Sequence, residues 1–437
     1  MSKYVVNTKE QQQEMLREIN KNSIDELFHS IPDEIKLKQA LNLPSGISEF
    51  EAYQMMKEFA DQTKQYQMIF RGAGSYHHYI PSVVTHLASR EEFVTAYTPY
   101  QAEISQGILQ SIFEYQTMIC ELTGMDVSNA SVYDGASAAA EAINMCLTPK
   151  KRTVLYAASL HPETIETIHT YYRYLDVNLV AVGLENGVVK TTELANVISD
   201  EVACFMMQTP NYFGCLEDGM KIKEILNEIP FVVIVNPISL GILEAPRNYG
   251  ADIVVGEGQP LGMSISFGGP YLGFMTTTQQ YARKLPGRIV GETVDTRGQR
   301  AYTLTLQARE QHIRREKASS SICSNQAHCA LTSAIYMASL GPKGLEEVSM
   351  QSYQHAHYLQ QQLESLGFNL VHPTHFYHEF LTDSPIAVDV LFKHLDQHHI
   401  LGGLKMDEDK ILWCATEVNN KAQIDTLIKI IKEVQHG

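Results

Sequence analysis

Residues 204–235 read CFMMQTPNYFGCLEDGMKIKEILNEIPFVVIV: an apolar run, a turn-rich segment, a helical stretch after Asp218 and a second apolar run. Both apolar runs are continuous rather than alternating in polarity, which is typical of strands buried on both faces. A strand, a helix and another strand in this order indicate a unit of a parallel sheet. This stretch therefore predicts an α/β fold in which helices cover the sheet.

The same alternation extends in both directions along the chain. TVLYAA (153–158) precedes a helical stretch that opens at Pro162, and NLVAVG (178–183) precedes one that opens near Thr191. DIVVG (252–256) and LGFMTT (272–277) add further apolar strands. The pattern predicts a doubly wound domain with a mixed, mostly parallel sheet.

The two ends of the chain have a different character. The first 60 residues are polar and helical, and Ser23 with Glu26 and Ser48 with Glu51 have the spacing of capping boxes. Beyond residue 300 the chain changes to long helices and a small α/β pattern. We expect a helical arm over 1–60, a large domain over 61–300, and connecting helices with a small C-terminal α/β domain over 301–437.

A further helix is predicted before Gly124. Ile104, Ile108, Ile112 and Ile119 fall near one face of this helix, and Gly124 is expected to end it.

Composition excludes several classes of protein. The net charge of −16 argues against a nucleic-acid partner, because such proteins need basic faces. No apolar run approaches the roughly 20 residues that cross a bilayer, and the first residues lack an apolar signal core. We expect a cytoplasmic protein with no membrane partner.

The seven cysteines are scattered without a C-x-x-C motif or a His–Cys cluster at zinc spacing. They are expected to be reduced, and several lie in apolar patterns typical of buried thiols. The sequence indicates no metal site.

Two short motifs could bind a ligand. Asp134, Gly135 and Ser137 open an Ala-rich helix, whose free N–H groups could hold a phosphate, although many helices begin this way merely for capping. His161 follows a strand, where it could stack on a flat ring or act as a base. A loop histidine satisfied by its neighbours is the simpler interpretation.

Two Tyr-rich segments and one Arg-rich segment could line a site. RGAGSYHHYIP (71–81) and TAYTPYQAEISQG (95–107) suit a ligand wall or a well-packed loop equally. LQAREQHIRREK (306–317) has Glu310 and Arg314 at i,i+4 spacing, which favours an ion-paired helix face, with an anion or partner site as the alternative.

Residues 250–274, GADIVVGEGQPLGMSISFGGPYLGF, have the outline of an active-site segment: a strand, a Gly-rich loop and a second strand. The loop nevertheless offers only Gln259 and two serines where a nucleophile or base is expected.

Several of these stretches resemble one family, the P-protein of the glycine cleavage system, and in particular its N-terminal half or first subunit. The matching stretches are SIDELFHSIP, AYTPYQAEISQG, YGADIVVGEGQPLG, GGPYLGF, LPGRIVGETVD, TLTLQAREQHIRREK and SICSNQA. They extend over nearly the whole chain. The resemblance implies a fold like that of the fold-type-I pyridoxal phosphate (PLP) enzymes, which resemble aminotransferases.

The resemblance also assigns positions in a PLP site. It places Asp134, Gly135 and Ser137 at the phosphate cup and His161 at the stacking position. It places Asn236 where an acid would hold the ring nitrogen, and Gln259 where a lysine would form the Schiff base. An amide forms no imine, and Asn236 carries no charge. Residues 224 to 283 contain no lysine that could take its place.

The resemblance therefore implies a subunit without catalytic residues of its own, inactive alone. A second subunit would carry PLP, and the two chains together would decarboxylate glycine and transfer the aminomethyl group to the lipoyl arm of H-protein. The residues expected to contribute across the interface are Tyr97, Tyr100, Gln101, Glu103, Gln106, Ser266, Gly268, Gly269, Arg309, His312 and Arg314.

Two alternatives to this interpretation are a stand-alone PLP enzyme that uses another lysine, such as Lys284, and a scaffold or regulatory subunit that leaves the active site untouched.

Overall fold

The structure is a computed structural model that describes residues 6–96, 99–306 and 311–436, without the side chains of His312 and His436. The chain divides into two compact units, Met1–Lys64 and Gln65–Gly437.

The first unit is helical. Its helices are α1 (Lys9–Glu18) and α2 (Glu49–Gln62), with a 3-10 helix over Ile24–Phe28 between them. Ser48 and Glu51 form the predicted capping box on α2. Ser23 is the N-cap residue of the 3-10 helix, as predicted, but it forms no capping box: its side chain makes no cap bond, and Glu26 accepts the N–H of Asn22.

The second unit contains the remaining elements. Its helices are α3 (Ser82–Ala88), α4 (Glu91–Val94), α5 (Gln106–Thr123), α6 (Gly135–Cys146), α7 (Pro162–Tyr172), α8 (Thr191–Val197), α9 (Gly219–Leu226), α10 (Ala327–Glu364), α11 (Val388–Gln397) and α12 (Lys421–His436). Its strands are β1 (Met68–Ile69), β2 (Val127–Ser128), β3 (Thr153–Ala157), β4 (Asn178–Val182), β5 (Leu184–Glu185), β6 (Val188–Val189), β7 (Val202–Gln208), β8 (Phe231–Val235), β9 (Ile253–Glu257), β10 (Gly273–Thr277), β11 (Ile289–Val294), β12 (Arg300–Thr305), β13 (Glu379–Asp383), β14 (Ile400–Leu401), β15 (Leu404–Asp407) and β16 (Lys410–Cys414).

Within the described residues, seven strands form the main sheet in the order β2-β10-β9-β8-β7-β3-β4. The neighbours from β9 to β4 pair in parallel, whereas β10 pairs antiparallel with β9 and β2. The five residues of β8 are all buried, as their continuous apolar run predicts. The mixed, mostly parallel sheet is therefore confirmed.

The predicted helix before Gly124 is α5, and Gly124 ends it with a positive φ of 72°. Its buried face includes Ile112 and Ile119. The prediction for Ile104 is wrong, because this residue precedes the helix and is 77% exposed.

A smaller sheet, β13-β16-β15, lies near the C-terminus. It shares a second hydrophobic core with α11 and α12, in which Phe368, Phe380 and Trp413 are buried. The long α10 is interrupted at Gly341, where φ is 63° and Pro342 follows. No helix among the described residues has the length and apolarity to cross a bilayer.

Candidate functional site

A pocket of about 540 Å³ lies at the carboxyl ends of the central strands. Gln208, Val235 and Glu257 from the ends of β7, β8 and β9 line it, together with the first residues of α6 and α7. Crevices at this edge of a parallel sheet are the usual ligand sites of doubly wound folds. Five residues predicted from the sequence line it together: Asp134, Gly135, Ser137, His161 and Asn236.

The N-terminus of α6 is already occupied by groups of the same chain. Asp134 caps the helix by accepting the N–H of Ser137 at 2.7 Å. The N–H of Gly135 donates to Glu257 Oε2 at 3.0 Å. Two of the N–H groups that a phosphate would use are thus bonded to carboxylates.

Glu257 is the residue whose carboxyl group lies at the N-terminus of α6, and the sequence analysis did not predict this role. Its Oε1 also accepts the N–H groups of Gln259 at 3.0 Å and Leu272 at 2.8 Å. Burial raises the pKa of Glu257 to about 7, although its three backbone hydrogen bonds oppose this rise. A carboxyl group at the helix start excludes a phosphate from the same space, so these residues do not fit a PLP phosphate.

Gln259 is fully buried, and its amide binds two loops together. Its Oε1 accepts the N–H of Tyr76 at 2.9 Å, and its Nε2 donates to the carbonyl oxygens of Tyr76 at 3.0 Å and Met263 at 2.8 Å. In all three bonds the side-chain amide pairs with backbone groups, and it satisfies both the N–H and the carbonyl of Tyr76 as a neighbouring strand would. Gln259 therefore acts as a structural clamp at the position where the resemblance places a lysine.

Asn236 follows β8 and faces a histidine. Its Oδ1 accepts the N–H of Ile238 at 3.0 Å, and its Nδ2 lies 3.3 Å from Nε2 of His378. Burial lowers the pKa of His378 well below its ordinary value, so this ring is neutral and its Nε2 accepts. The pair provides no negative charge for a pyridinium nitrogen.

His161 is the N-cap of α7, and both of its ring nitrogens are engaged. Its Nδ1 accepts the N–H of Glu163 at 3.2 Å, and this assigns the proton to Nε2, which donates to the carbonyl oxygen of Ala73 at 3.0 Å. A Cβ at Gly74 would lie 3.0 Å from the ring nitrogen, so the loop passes directly against the imidazole. His161 thus matches the interpretation of a loop histidine satisfied by its neighbours, and it still lines the pocket.

The loop over residues 71–76 is held from its other side by Glu379, the first residue of β13. Glu379 Oε1 accepts the N–H of Ala73 at 2.6 Å, and Oε2 accepts the hydroxyl of Tyr76 at 2.7 Å. Burial raises the pKa of Glu379 to about 7. Sequence reasoning missed this contact because the two partners lie about 300 positions apart.

Tyr100 and Gln106, both predicted interface residues, contact distant parts of the chain. The hydroxyl of Tyr100 donates to Asn325 at 2.6 Å, and Arg288 lies 3.9 Å from its ring centroid. The amide of Gln106 exchanges hydrogen bonds with the N–H and carbonyl of Tyr302 on β12. Both residues therefore have an observed structural role.

The other predicted interface residues are exposed, half-buried or outside the described residues. Gln101, Glu103 and Arg314 are exposed, whereas Ser266 and Gly269 are half-buried beside the exposed Gly268. Tyr97 and Arg309 lie outside the described residues, as does the side chain of His312.

The loop after β9 carries an aromatic residue that sequence reasoning did not single out. Phe267 is 99% exposed with a φ of 51°. The loop borders a second pocket of about 530 Å³, lined by Ser266 and Pro270. A third pocket of about 290 Å³ lies beside Pro99, and the second and third pockets share Val94 and His328. The structure thus brings the two predicted interface segments to neighbouring pockets.

Lys284 does not reach the central pocket. Its Nζ donates to the carbonyl oxygen of Met145 at 2.9 Å, and the pocket lining does not include it.

Comparison with known proteins places this geometry in a family. The family described as glycine cleavage system P-protein matches residues 2–431. The probable glycine dehydrogenase (decarboxylating) subunit 1 of Carboxydothermus hydrogenoformans is 46% identical over 440 residues, which cover 98% of this chain and 99% of that protein. The protein of the same description from Thermotoga maritima is 45% identical over 440 residues, with the same coverage.

Solved structures agree with these relatives. The inhibitor-bound crystal structure of glycine decarboxylase (P-protein) of the glycine cleavage system superposes with a TM-score of 0.91 at 39% identity, covering 99% of this chain and 100% of that one. Glutamate decarboxylase of Lactobacillus brevis shares the fold, with a TM-score of 0.66 at 12% identity over 92% of this chain and 96% of its own. A C-DES mutant with glycine covalently linked to its PLP cofactor shares it at 14% identity, with a TM-score of 0.61 over 85% of this chain and 96% of its own.

The fold is therefore that of the fold-type-I PLP enzymes, and this prediction is confirmed. The family match and the subunit 1 relatives confirm the resemblance found in the sequence. The chain belongs to the glycine cleavage system P-protein family.

Proposed function

We propose that this chain is the first subunit of a two-subunit glycine decarboxylase and that it has no catalytic residue of its own. Its partner is a second P-protein subunit that carries PLP. The two chains together decarboxylate glycine and deliver the aminomethyl group to the lipoyl arm of H-protein. The names of the subunit 1 relatives support this proposal.

One observation supports the assignment of PLP to the second subunit. At the positions where the resemblance places the Schiff-base lysine and the phosphate, this chain has its own side chains Gln259 and Glu257. Gln259 binds Tyr76 and Met263, and Glu257 occupies the start of α6. Neither side chain can attach a cofactor covalently, and their hydrogen bonds stabilise the loops around the pocket. The chain accordingly keeps the fold of a PLP enzyme, but the residues at these two positions stabilise the structure instead of binding a cofactor.

The contribution of this chain to the active site is made across the subunit interface. The segment 264–270 and the segment that ends at Gln106 border adjoining pockets lined by apolar residues such as Val94 and Ile108. A fully exposed Phe267 beside such pockets is typical of an aromatic anchor in a protein interface. We infer that this surface docks against the PLP-bearing subunit, and that Gln101, Glu103, Ser266, Gly268 and Gly269 lie within the interface together with Tyr97, Arg309, His312 and Arg314.

Tyr100 and Gln106 support this interface from within. They fasten the segment to Asn325 and Tyr302, which holds the neighbouring exposed residues in place. Gln101 and Glu103 lie between these two anchors, so their backbone is fixed while their side chains remain exposed.

The proposal is tested by expressing this chain alone, the second subunit alone, and both together. Glycine–bicarbonate exchange with lipoylated H-protein should require both chains, and only the second subunit should yield a borohydride-reducible imine. Exchange by this chain alone, or an imine fixed by borohydride on Lys284, would establish instead a stand-alone enzyme.

A scaffold role is separated by substitutions at the proposed interface. Alanine substitution of Tyr97, Gln101 or Arg309 should lower the rate of glycine–bicarbonate exchange in the assembled complex. Unchanged exchange in all three variants, with assembly intact, would mean that this chain contributes no group to the active site.

A further inference from the structure

A cluster of possible metal ligands lies in the C-terminal part of the chain, away from the pocket described above. His394 is in the last turn of α11, and His398 caps the end of that helix. Glu433 comes from the last turns of α12, which packs against α11 in the second hydrophobic core. One ligand atom from each of the three lies within 4.8 Å of the other two.

The arrangement is determined by the packing of the two helices. Residues four apart on a helix lie on the same face, so His394 and His398 are neighbours, and their ring centroids are 5.0 Å apart. Leu391 and Leu395 of α11 are fully buried, which fixes the rotation of that helix. The carboxylate of Glu433 approaches from the facing helix, so the third ligand does not depend on local sequence.

None of the three side chains has a hydrogen bond or ion pair within the described residues. His394 Nε2 is buried without a partner. A buried imidazole nitrogen without a partner has a free-energy cost that a bound water or a bound metal would relieve. His398 and Glu433 are exposed, so their side chains can rotate toward a bound ion.

We propose that His394, His398 and Glu433 form a binding site for a divalent transition metal of the Zn²⁺ class. Two imidazoles and one carboxylate suit Zn²⁺ and neighbouring metals better than Mg²⁺ or Ca²⁺, which prefer oxygen ligands. Zn–N and Zn–O bonds of about 2.0–2.2 Å in a tetrahedron place ligand atoms roughly 3.4 Å apart. Side-chain movements on the order of 1 Å convert the present cluster into that geometry.

The bound ion would have three protein ligands and an open fourth position. It would link α11 to α12, the last helix of the chain. Because the metal binds the folded arrangement and not the separated helices, it stabilises this part of the protein in proportion to the logarithm of its concentration. The sequence suggested no metal site, because only the pair four residues apart is visible there and the glutamate is 35 residues beyond His398.

The test uses the full-length chain without a histidine tag, stripped of metal with a chelator, alone and in complex with the second subunit. Zn²⁺ is titrated by calorimetry, and Co²⁺ spectra report the coordination number. The wild-type chain should bind one equivalent of Zn²⁺ more than the His398→Ala or Glu433→Gln variant. If a variant still binds this equivalent, the wild type should bind it at least about 10-fold more tightly. The exposed His375→Ala is the matched control and should keep the wild-type stoichiometry.

His398 and Glu433 are both exposed, so neither substitution should disturb folding, and a circular dichroism spectrum like that of the wild type would show that both variants are folded. Equal stoichiometry and affinity in the wild type and both variants would overturn the proposal. Loss of a Zn²⁺ equivalent in His375→Ala as well would also overturn it, because binding would then be nonspecific.

Discussion

Replacing Glu379 by glutamine should stabilise the protein at alkaline pH relative to acidic pH. The carboxyl group is buried at the start of β13, where it accepts hydrogen bonds from Ala73 and Tyr76. Burial raises its pKa from 4.5 to about 7. Glutamine has nearly the shape of the protonated acid and does not titrate.

The sign follows from proton linkage. A raised pKa means that the folded protein binds this proton more tightly than the unfolded chain does. The stabilisation is therefore complete below about pH 4.5 and is lost as the pH rises through about 7. His378, whose pKa burial lowers well below its ordinary value, is present in both proteins, so its own contribution cancels in the difference.

The magnitude follows from the size of the shift. A rise of the Glu379 pKa from 4.5 to about 7, at about 1.4 kcal/mol for each pKa unit, gives a difference in unfolding free energy on the order of 3 kcal/mol between about pH 4 and pH 8. With an unfolding entropy of about 2.1 cal/mol/K per residue over 437 residues, this corresponds to a change of about 3–4 °C in melting temperature.

The assay is differential scanning calorimetry of wild type and Glu379→Gln across this pH range. The difference in melting temperature, variant minus wild type, should increase by about 3–4 °C from the acidic to the alkaline end. The exposed Glu201→Gln is the control and should show no such trend. A difference for Glu379→Gln that does not change with pH would refute the reasoning, since the carboxyl group would then titrate as in the unfolded chain.

Three other substitutions test the proposed roles. Gln259→Lys should form no borohydride-reducible imine with PLP, and an imine would show that the pocket still accepts the cofactor. The variant should also have a lower melting temperature, because an ammonium group cannot accept the N–H of Tyr76, at a cost of roughly 1–3 kcal/mol, and because its charge would be buried. Phe267→Ala should weaken binding to the second subunit by about 10- to 100-fold in calorimetry, whereas replacing the comparably exposed Tyr174 by alanine should not. Equal affinities of the Phe267→Ala variant and the wild type would place Phe267 outside the interface. Glu257→Ala should lower the melting temperature, and inorganic phosphate should partly restore it; equal stabilisation of the wild type by phosphate would show that the start of α6 is already free to bind anions.

The sequence alone determined the architecture of the main sheet, because its signals are local. In β8, for example, five consecutive apolar residues predict a strand that is buried on both faces. The ends of helices are also encoded locally. Gly124 ends α5 in a left-handed conformation, and Asp134 caps α6. The motifs also identified the family, and through the resemblance they placed Gln259 and Asn236 where a PLP enzyme has its lysine and its acidic residue.

Tertiary structure alone decided what those positions do instead. Gln259 is a clamp because a loop 183 residues earlier in the chain brings the backbone of Tyr76 to its amide. Glu257 has a short-range signal, a carboxyl group at a strand end, but its contact with Gly135 depends on how α6 lies over the sheet. Burial then raises the pKa values of Glu257 and Glu379, and burial is a property of the packed fold.

Tertiary packing also decided which distant segments meet at the proposed interface and at the proposed metal site. Ser264 to Pro270 and the segment around Tyr100 are separated by more than 150 residues, and the structure brings them to pockets that share Val94 and His328. His394 and His398 are visible as a spacing, but Glu433 joins them only because α12 packs against α11. Contacts between distant segments depend on the complete packing of the chain, and no local pattern of residues encodes them.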